Sequence, residues 1–73
     1  MIKAALFTKN TRRYSIRIER DLFGDWVILR NFGRKNVKKG RTIVEICENQ
    51  TSAEARFADL CQYRVNKRHY EQI

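Results

Sequence analysis

The stretch DLFGDWVILRNFGR, residues 21–34, joins the pattern of a tight turn to the pattern of a strand. Its first residues combine acids with a glycine, which is typical of a tight turn. From Trp26 to Phe32 the chain carries apolar side chains on both faces. Trp26, Ile28 and Phe32 share one face with Arg30, and Val27 and Leu29 lie on the other. A short run that is apolar on both faces predicts a central strand of a sheet. Trp26 is expected to anchor the core.

The segments on either side of this strand also have the pattern of strands. Residues 14–19 alternate apolar and polar side chains, which predicts a half-buried strand. Residues 41–48 are rich in β-branched side chains, and residues 2–8 predict a fourth strand. Because the connections are too short for crossover helices, the strands are expected to form an antiparallel meander. Turns are predicted at the glycines that separate these segments, Gly24, Gly33 and Gly40.

The last third of the chain changes from a strand pattern to a helix pattern. Thr51 and Glu54 have the spacing of a capping box, which predicts a helix that begins at Thr51 and runs to about Arg68. Apolar residues then recur at helical spacing and predict a stripe that covers one sheet face, namely Ala53, Phe57, Leu60 and Cys61. Arg64 lies in the same stripe, where its methylene stem is expected to pack on the core.

These elements predict an α+β fold. It consists of a small antiparallel β-sheet of about four strands, covered on one face by a single C-terminal α-helix. A chain of 73 residues has room for one such unit, so we expect a single domain over residues 1–73.

The composition is strongly basic. Sixteen Lys and Arg residues stand against eight Asp and Glu residues, which gives a formal net charge of +8 and a pI near 10.1. Such a charge indicates polyanionic partners or anionic surfaces, but it does not indicate the fold.

The cysteines and the N-terminus bear on cellular location. Cys47 and Cys61 are too few for the disulfide framework of a small secreted domain, so both are expected to be reduced and buried. With His69 they do not complete a four-ligand zinc site, and no metal is expected. The N-terminus has no signal-peptide pattern, and no apolar stretch reaches the ~20 residues that span a bilayer. We therefore expect no membrane association and a cytoplasmic protein of bacterial type.

Catalytic motifs are absent from the sequence. The stretch from Gly33 to Thr42 resembles a phosphate-binding loop, but its spacer is six residues, Arg41 stands in place of the lysine, and a strand follows where a helix is required. Ser15 and Ser52 have no histidine nearby in sequence. We therefore expect no enzymatic activity, no cofactor and no small-molecule substrate.

A cluster of basic residues follows the central strand. Six of the sixteen basic residues fall within twelve positions, and no acid occurs between Trp26 and Val44. The six are Arg30, Arg34, Lys35, Lys38, Lys39 and Arg41. Such a loop favours phosphate binding that weakens with salt, by about 0.9 in the logarithmic slope per phosphate neutralised on duplex DNA. The alternative is a solvated hairpin loop whose lysines keep the protein soluble.

The order of two motifs adds a family resemblance. An LFG-x-W turn at residues 22–26 is followed by Arg-x-aromatic-Gly-Arg at residues 30–34, and together they resemble the WGR domain. This family, named for its Trp-Gly-Arg core, occurs in poly(ADP-ribose) polymerases and in small stand-alone bacterial proteins. The resemblance covers roughly Arg13 to Tyr70. It implies the fold, and it implies DNA contact near a strand end, with the tryptophan against the terminal nucleotide and the arginine among the polar contacts.

The chain departs from the family pattern in two places. Phe32 occupies the tryptophan position, and Lys35 and Asn36 replace an aliphatic residue and a glycine. Asn36 can keep the left-handed turn, because asparagine tolerates positive φ well. Phe32 offers a smaller ring without the indole N–H, and it serves equally well as core filling or as a stacking face.

The expected function is a non-enzymatic module that binds DNA, strand ends and nicks included. In this function Phe32 would stack on a sugar or base, and Gly33 would meet a conformational need of the backbone. Arg30 would hold the loop or reach a phosphate. The remaining basic residues would contact phosphates, namely Arg34, Lys35, Lys38, Lys39 and Arg41. Charge alone does not separate DNA from RNA or single strands. The alternative is a protein-interaction module that docks on an acidic partner or forms a homodimer.

Overall fold

The computed structural model describes residues 3–36 and 40–73. Their secondary structure is β1 (Lys3–Lys9), β2 (Arg12–Arg20), β3 (Trp26–Arg34), β4 (Gly40–Cys47), α1 (Gln50–Asn66) and β5 (Glu71–Gln72). Neighbouring strands pair antiparallel in the order β4-β3-β2-β1-β5. The predicted α+β fold is confirmed, with β3 inside the sheet and one helix after the four predicted strands. The short strand β5 was not predicted, because two residues carry no strand pattern.

The predicted helix start was wrong. Asn49, and not Thr51, caps α1: its backbone is extended and its side-chain oxygen accepts the Ser52 N–H at 2.8 Å. Asparagine is at least as good an N-cap as threonine, so the earlier residue takes the position. Thr51 therefore lies within the first turn of the helix.

The helix also ends earlier than predicted, at Asn66. The N–H groups of Lys67 and Arg68 both donate to the Tyr63 carbonyl, at 2.9 and 3.2 Å. His69 then adopts a positive φ of 58°, and the Tyr70 N–H donates to the Arg64 carbonyl at 2.9 Å. This closing pattern satisfies helix-end carbonyls and returns the chain to the sheet, where β5 pairs with β1.

The core lies between α1 and one face of the sheet. Five side chains of the sheet are essentially inaccessible to solvent, and they are Phe7, Tyr14, Ile16, Ile18 and Ile28. The predicted helix stripe covers them, with Ala53, Phe57 and Leu60 buried and Cys61 partly buried. Trp26, which the sequence placed in the core, packs against it from the margin, with the Arg20 guanidinium 5.1 Å from its ring centroid.

The turn between β2 and β3 is built on Asp21. Its carboxylate accepts the N–H groups of Phe23 and Asp25, each at 2.9 Å. Gly24 occupies this turn with φ of 84°, as the sequence predicts. The aspartate and the glycine together fix the entry into β3.

The turn prediction was wrong for Gly33 and Gly40. They lie in β3 and β4 and face each other in the register of the sheet. A Cβ atom on Gly40 would lie 2.3 Å from the Phe32 carbonyl oxygen, so close approach of two strands requires the glycine there. In the described part of the loop Asn36 is left-handed, with φ of 65°, as predicted.

Both cysteines are free and partly buried, and burial raises the pKa of the Cys61 thiol. Within residues 3–36 and 40–73, no helix is long and apolar enough to cross a membrane. The same residues contain no group of three or more potential metal-binding side chains.

Candidate nucleic-acid interface

The meander brings the β1–β2 turn and the β3–β4 loop to the same end of the sheet. In the register, Lys9 lies opposite Arg12 and Arg12 lies opposite Arg34. The Lys35 N–H donates to the Thr11 carbonyl at 2.7 Å, which fastens the loop to the turn. These three cationic residues thus form one row across three strands. Because side chains alternate between the two faces along each strand, all three lie on the face that α1 covers.

The end of α1 and strand β4 add to this row. The Lys9 ammonium donates to the Arg68 carbonyl at 2.8 Å, and Arg41 lies opposite Phe32 in the sheet. We call this surface the basic end and define it by six residues, Lys9, Arg12, Arg34, Lys35, Arg41 and Arg68. All of them except the partly buried Lys9 are exposed. A depression of about 320 Å³ opens beside Lys9 and Lys35, with Glu71 as its acidic member.

The structure brings together part of the predicted binding set. Arg34, Lys35 and Arg41 all lie at the basic end, whereas Lys38 and Lys39 lie outside the described residues. Sequence reasoning did not single out Lys9 or Arg12. In an antiparallel meander every second turn lies at the same end of the sheet. Applied to the predicted strands, this rule places Lys9 and Arg12 beside the basic loop, so it could have identified them.

Arg30 lies away from the basic end, in an ion-pair network with Glu45 and Arg56. The Arg30 guanidinium donates to Glu45 Oε1 at 3.0 Å, and Arg56 donates to both carboxylate oxygens, each at 3.0 Å. The Arg30 side chain is 17% exposed. Hydrogen bonds from Arg56, with the charges of both arginines, hold the pKa of Glu45 below its ordinary value. Arg30 therefore links β3 to β4, and Glu45 links the sheet to α1.

Phe32 lies in a cluster of rings rather than alone on the surface. Its ring is partly buried and its centroid is 5.0 Å from that of Tyr14. The guanidinium carbon of Arg64 lies 4.8 Å from the Phe32 centroid, 4.1 Å from that of Tyr14 and 5.3 Å from that of Tyr70. The Arg64 head is thus held by cation–π contacts with three rings. Packing of its methylene stem on the core stays a prediction. Stacking of Phe32 on a nucleotide stays a prediction, and here Arg64 covers that ring.

Comparison with known families identifies the domain. The model of the WGR domain family matches residues 3–73, nearly the whole chain. The chain belongs to the WGR family. No curated protein and no solved structure gives a significant match. WGR domains are nucleic-acid-binding modules in poly(ADP-ribose) polymerases, and the WGR domain is a binding module and not a catalytic one.

The motif residues of this WGR domain close strand β3. Phe32 points toward α1, Gly33 faces Gly40 across the strands, and Arg34 is the exposed last residue of the strand. Arg34 thus reaches the basic end because β3 extends to its register position opposite Arg12.

A groove lies beside the motif, between α1 and the sheet. It has a volume of about 380 Å³, and we call it the arginine groove. Its lining consists of Arg30, Arg56, Asp59, Leu60, Tyr63 and Arg64. Three guanidinium groups therefore line one concave surface of the WGR domain.

Proposed function

We propose that this WGR domain is a non-enzymatic module that binds DNA by placing the basic end against the phosphate backbone. The observation that carries this proposal is the row formed by Lys9, Arg12 and Arg34. Like charges directly opposite each other in a sheet repel and lower stability. A row of phosphates removes that repulsion, so a polyanion is the ligand that this arrangement favours.

The loop and the motif support the same ligand. Lys35 is fastened to the β1–β2 turn through its backbone, so its exposed side chain starts from a fixed position beside the row. Arg34 belongs to the family motif, and we infer that strand ends and nicks are among the DNA sites that the domain binds. Lys38 and Lys39 extend the proposed phosphate contacts from the loop.

Replacing Arg12 and Arg34 together by alanine is expected to weaken duplex binding about tenfold near 0.1 M salt. The salt dependence should become shallower by about 2 in logarithmic slope, because two phosphate contacts are lost. Fluorescence anisotropy of labelled blunt and nicked duplexes over a salt series measures both quantities.

A double variant, Lys3→Ala with Arg17→Ala, is the matched control, because it removes the same charge from the other end of β1 and β2. It should keep most of the affinity. An equal loss in the control would show that net charge alone drives binding, and the absence of binding at low salt would contradict the proposal altogether.

A second candidate function is self-association through β4. Within the described sheet β4 is an edge strand of eight residues, and its Val44 and Ile46 side chains are 55% and 73% exposed. Antiparallel pairing of two β4 strands would extend the sheet across both copies and cover these apolar side chains.

This candidate predicts a dimer in sedimentation equilibrium at micromolar concentration. Val44→Lys should shift the species to monomer, because charges on an edge strand oppose pairing. The exposed Gln62→Lys on α1 is the control for added charge. A monomer at all concentrations would exclude a homodimer and leave an acidic protein as the alternative partner.

A further inference from the structure

The second feature of this WGR domain that can bind an anion is Arg64. Its guanidinium carbon lies over the rings of Tyr14, Phe32 and Tyr70, so the cation is held by π faces. Among the described residues it has no carboxylate within ion-pair distance. A guanidinium carries five N–H donors, and among the described residues those of Arg64 make no side-chain hydrogen bond of normal geometry, the nearby Tyr14 hydroxyl included, so they remain available for an oxyanion.

The surroundings of Arg64 also favour an anion. The arginine groove holds Arg30, Arg56 and Arg64, and the carboxylates in reach are Glu45 and Asp59. Glu45 is already occupied, since both of its oxygens accept hydrogen bonds from arginines. In addition, Arg30 Nε is buried without a hydrogen-bond partner. Three cations against two carboxylates leave the groove positive.

The arginine groove adjoins the basic end. Tyr14 and Phe32, whose rings contact Arg64, lie opposite each other on β2 and β3. Arg12 and Arg34 form the next pair on the same face, two residues further along each strand. Two residues of a strand span about 7 Å. A nucleic-acid strand whose phosphates contact Arg12 and Arg34 therefore passes within reach of Arg64.

We propose that the arginine groove is a second phosphate-binding site of this domain, with Arg64 as its main ligand. The aromatic rings fix the guanidinium in place before the phosphate arrives, so less side-chain entropy is lost on binding. This proposal rests on the proposed function in one respect, since a nucleic-acid backbone is the expected source of the phosphate. The same guanidinium chemistry would also bind a free phosphate ion.

Two variants test the site in opposite directions. Asp59→Asn removes a carboxylate from the groove and should tighten the binding of inorganic phosphate and of duplex about threefold. Arg64→Lys keeps the charge but loses the planar fork, and it should weaken both about fivefold. NMR titration with inorganic phosphate, following the Arg64 Nε–H resonance, and duplex anisotropy provide the two readouts.

Asp25→Asn, in the exposed β2–β3 turn, is the matched control for removing a carboxylate. It should leave phosphate binding unchanged. An Asp59→Asn variant that binds no better than Asp25→Asn would overturn the proposal, and so would an Arg64 resonance that does not respond to phosphate. A gain of affinity in Asp59→Asn cannot arise from misfolding, so the test holds even if Arg64→Lys proves unstable.

The same experiment separates this site from the basic end. If the Arg12→Ala/Arg34→Ala variant loses duplex binding but still shifts Arg64 with inorganic phosphate, both proposals stand. If the wild type binds phosphate at Arg64 but binds no duplex, the groove stands and the proposed function fails. If the wild type binds duplex and Arg64→Lys does so equally well, the basic end stands and the groove is overturned.

Discussion

Replacing Tyr14 by alanine is expected to lower the free energy of unfolding by about 4 kcal/mol. The Tyr14 side chain is completely buried, and its ring contacts the rings of Phe7, Phe32 and Tyr70. It also supports the Arg64 guanidinium at 4.1 Å, so alanine would leave a cavity and an arginine without its nearest ring. A domain of this size has a total stability of about 4–11 kcal/mol, so the variant should be close to unfolding. Urea denaturation followed by circular dichroism measures the change.

Tyr14→Phe is the control for this prediction. The Tyr14 hydroxyl is buried without a hydrogen-bond partner of normal geometry. Burial raises the pKa of Tyr14, and the positive charges of Arg64 and Arg30 oppose that rise. Removing an unpaired buried hydroxyl costs little, so phenylalanine should change the stability by less than about 1 kcal/mol. A loss as large as that of alanine would show that the hydroxyl, and not the ring, supports the core.

Replacing Glu45 by glutamine is expected to lower the free energy of unfolding by about 2 kcal/mol at neutral pH. Glu45 accepts hydrogen bonds from Arg30 and Arg56, and glutamine would leave both cations without their shared counter-charge. Glu19→Gln is the matched control, because Glu19 is paired with Arg17 at 3.3 Å on the solvent-facing side of the sheet. Glu19 has this single ion pair, whereas Glu45 has two arginine partners, so the control should lose less than about 1 kcal/mol. Equal losses in the two variants would contradict a special role for the Glu45 network.

The difference between wild type and Glu45→Gln should also depend on pH. The arginines lower the pKa of Glu45 in the folded state, so the unfolded chain binds its proton first as the pH falls. The stability that Glu45 contributes is therefore fully present above the ordinary glutamate pKa of about 4.3, and it is lost as the pH falls through the lower folded-state pKa. Urea midpoints of the two proteins should converge as the pH falls below the ordinary glutamate value of about 4.3, and a gap that stays constant under increasingly acidic conditions would contradict this linkage.

The sequence predicted the elements that have a strong periodic pattern. Strand β3 is apolar on both faces and lies inside the sheet, and the helix stripe at Ala53, Phe57 and Leu60 covers the core as expected. The helix start was missed because Asn49 and Thr51 are both good caps, and only the backbone conformation decides between them. Strand β5 was missed because its two residues pair with β1 only after His69 has turned the chain.

Only the part of the candidate site that is contiguous in sequence could be predicted. Arg34, Lys35 and Arg41 could be found from their clustering, whereas Lys9 and Arg12 join them through strand register. Arg64 and Phe32 meet because the helix returns over β3, and spacing along the chain does not reveal that contact. The basic cluster also contained Arg30, whose ion pair with Glu45 depends on the pairing of β3 with β4.

The opposite end of the sheet differs from the basic end in the sign of many of its charges. Four of the eight acidic residues lie near the turn between β2 and β3 and the end of β4, namely Glu19, Asp21, Asp25 and Glu48. Lys3, Arg17 and Arg20 share that end, so its charges nearly balance, whereas those of the basic end do not. The molecule therefore carries an electric dipole along its strands as well as a net charge. In the field of a polyanion such a dipole experiences a torque, which turns the basic end forward before contact. Most encounters should then begin in a productive orientation, and added salt should slow association by weakening this alignment.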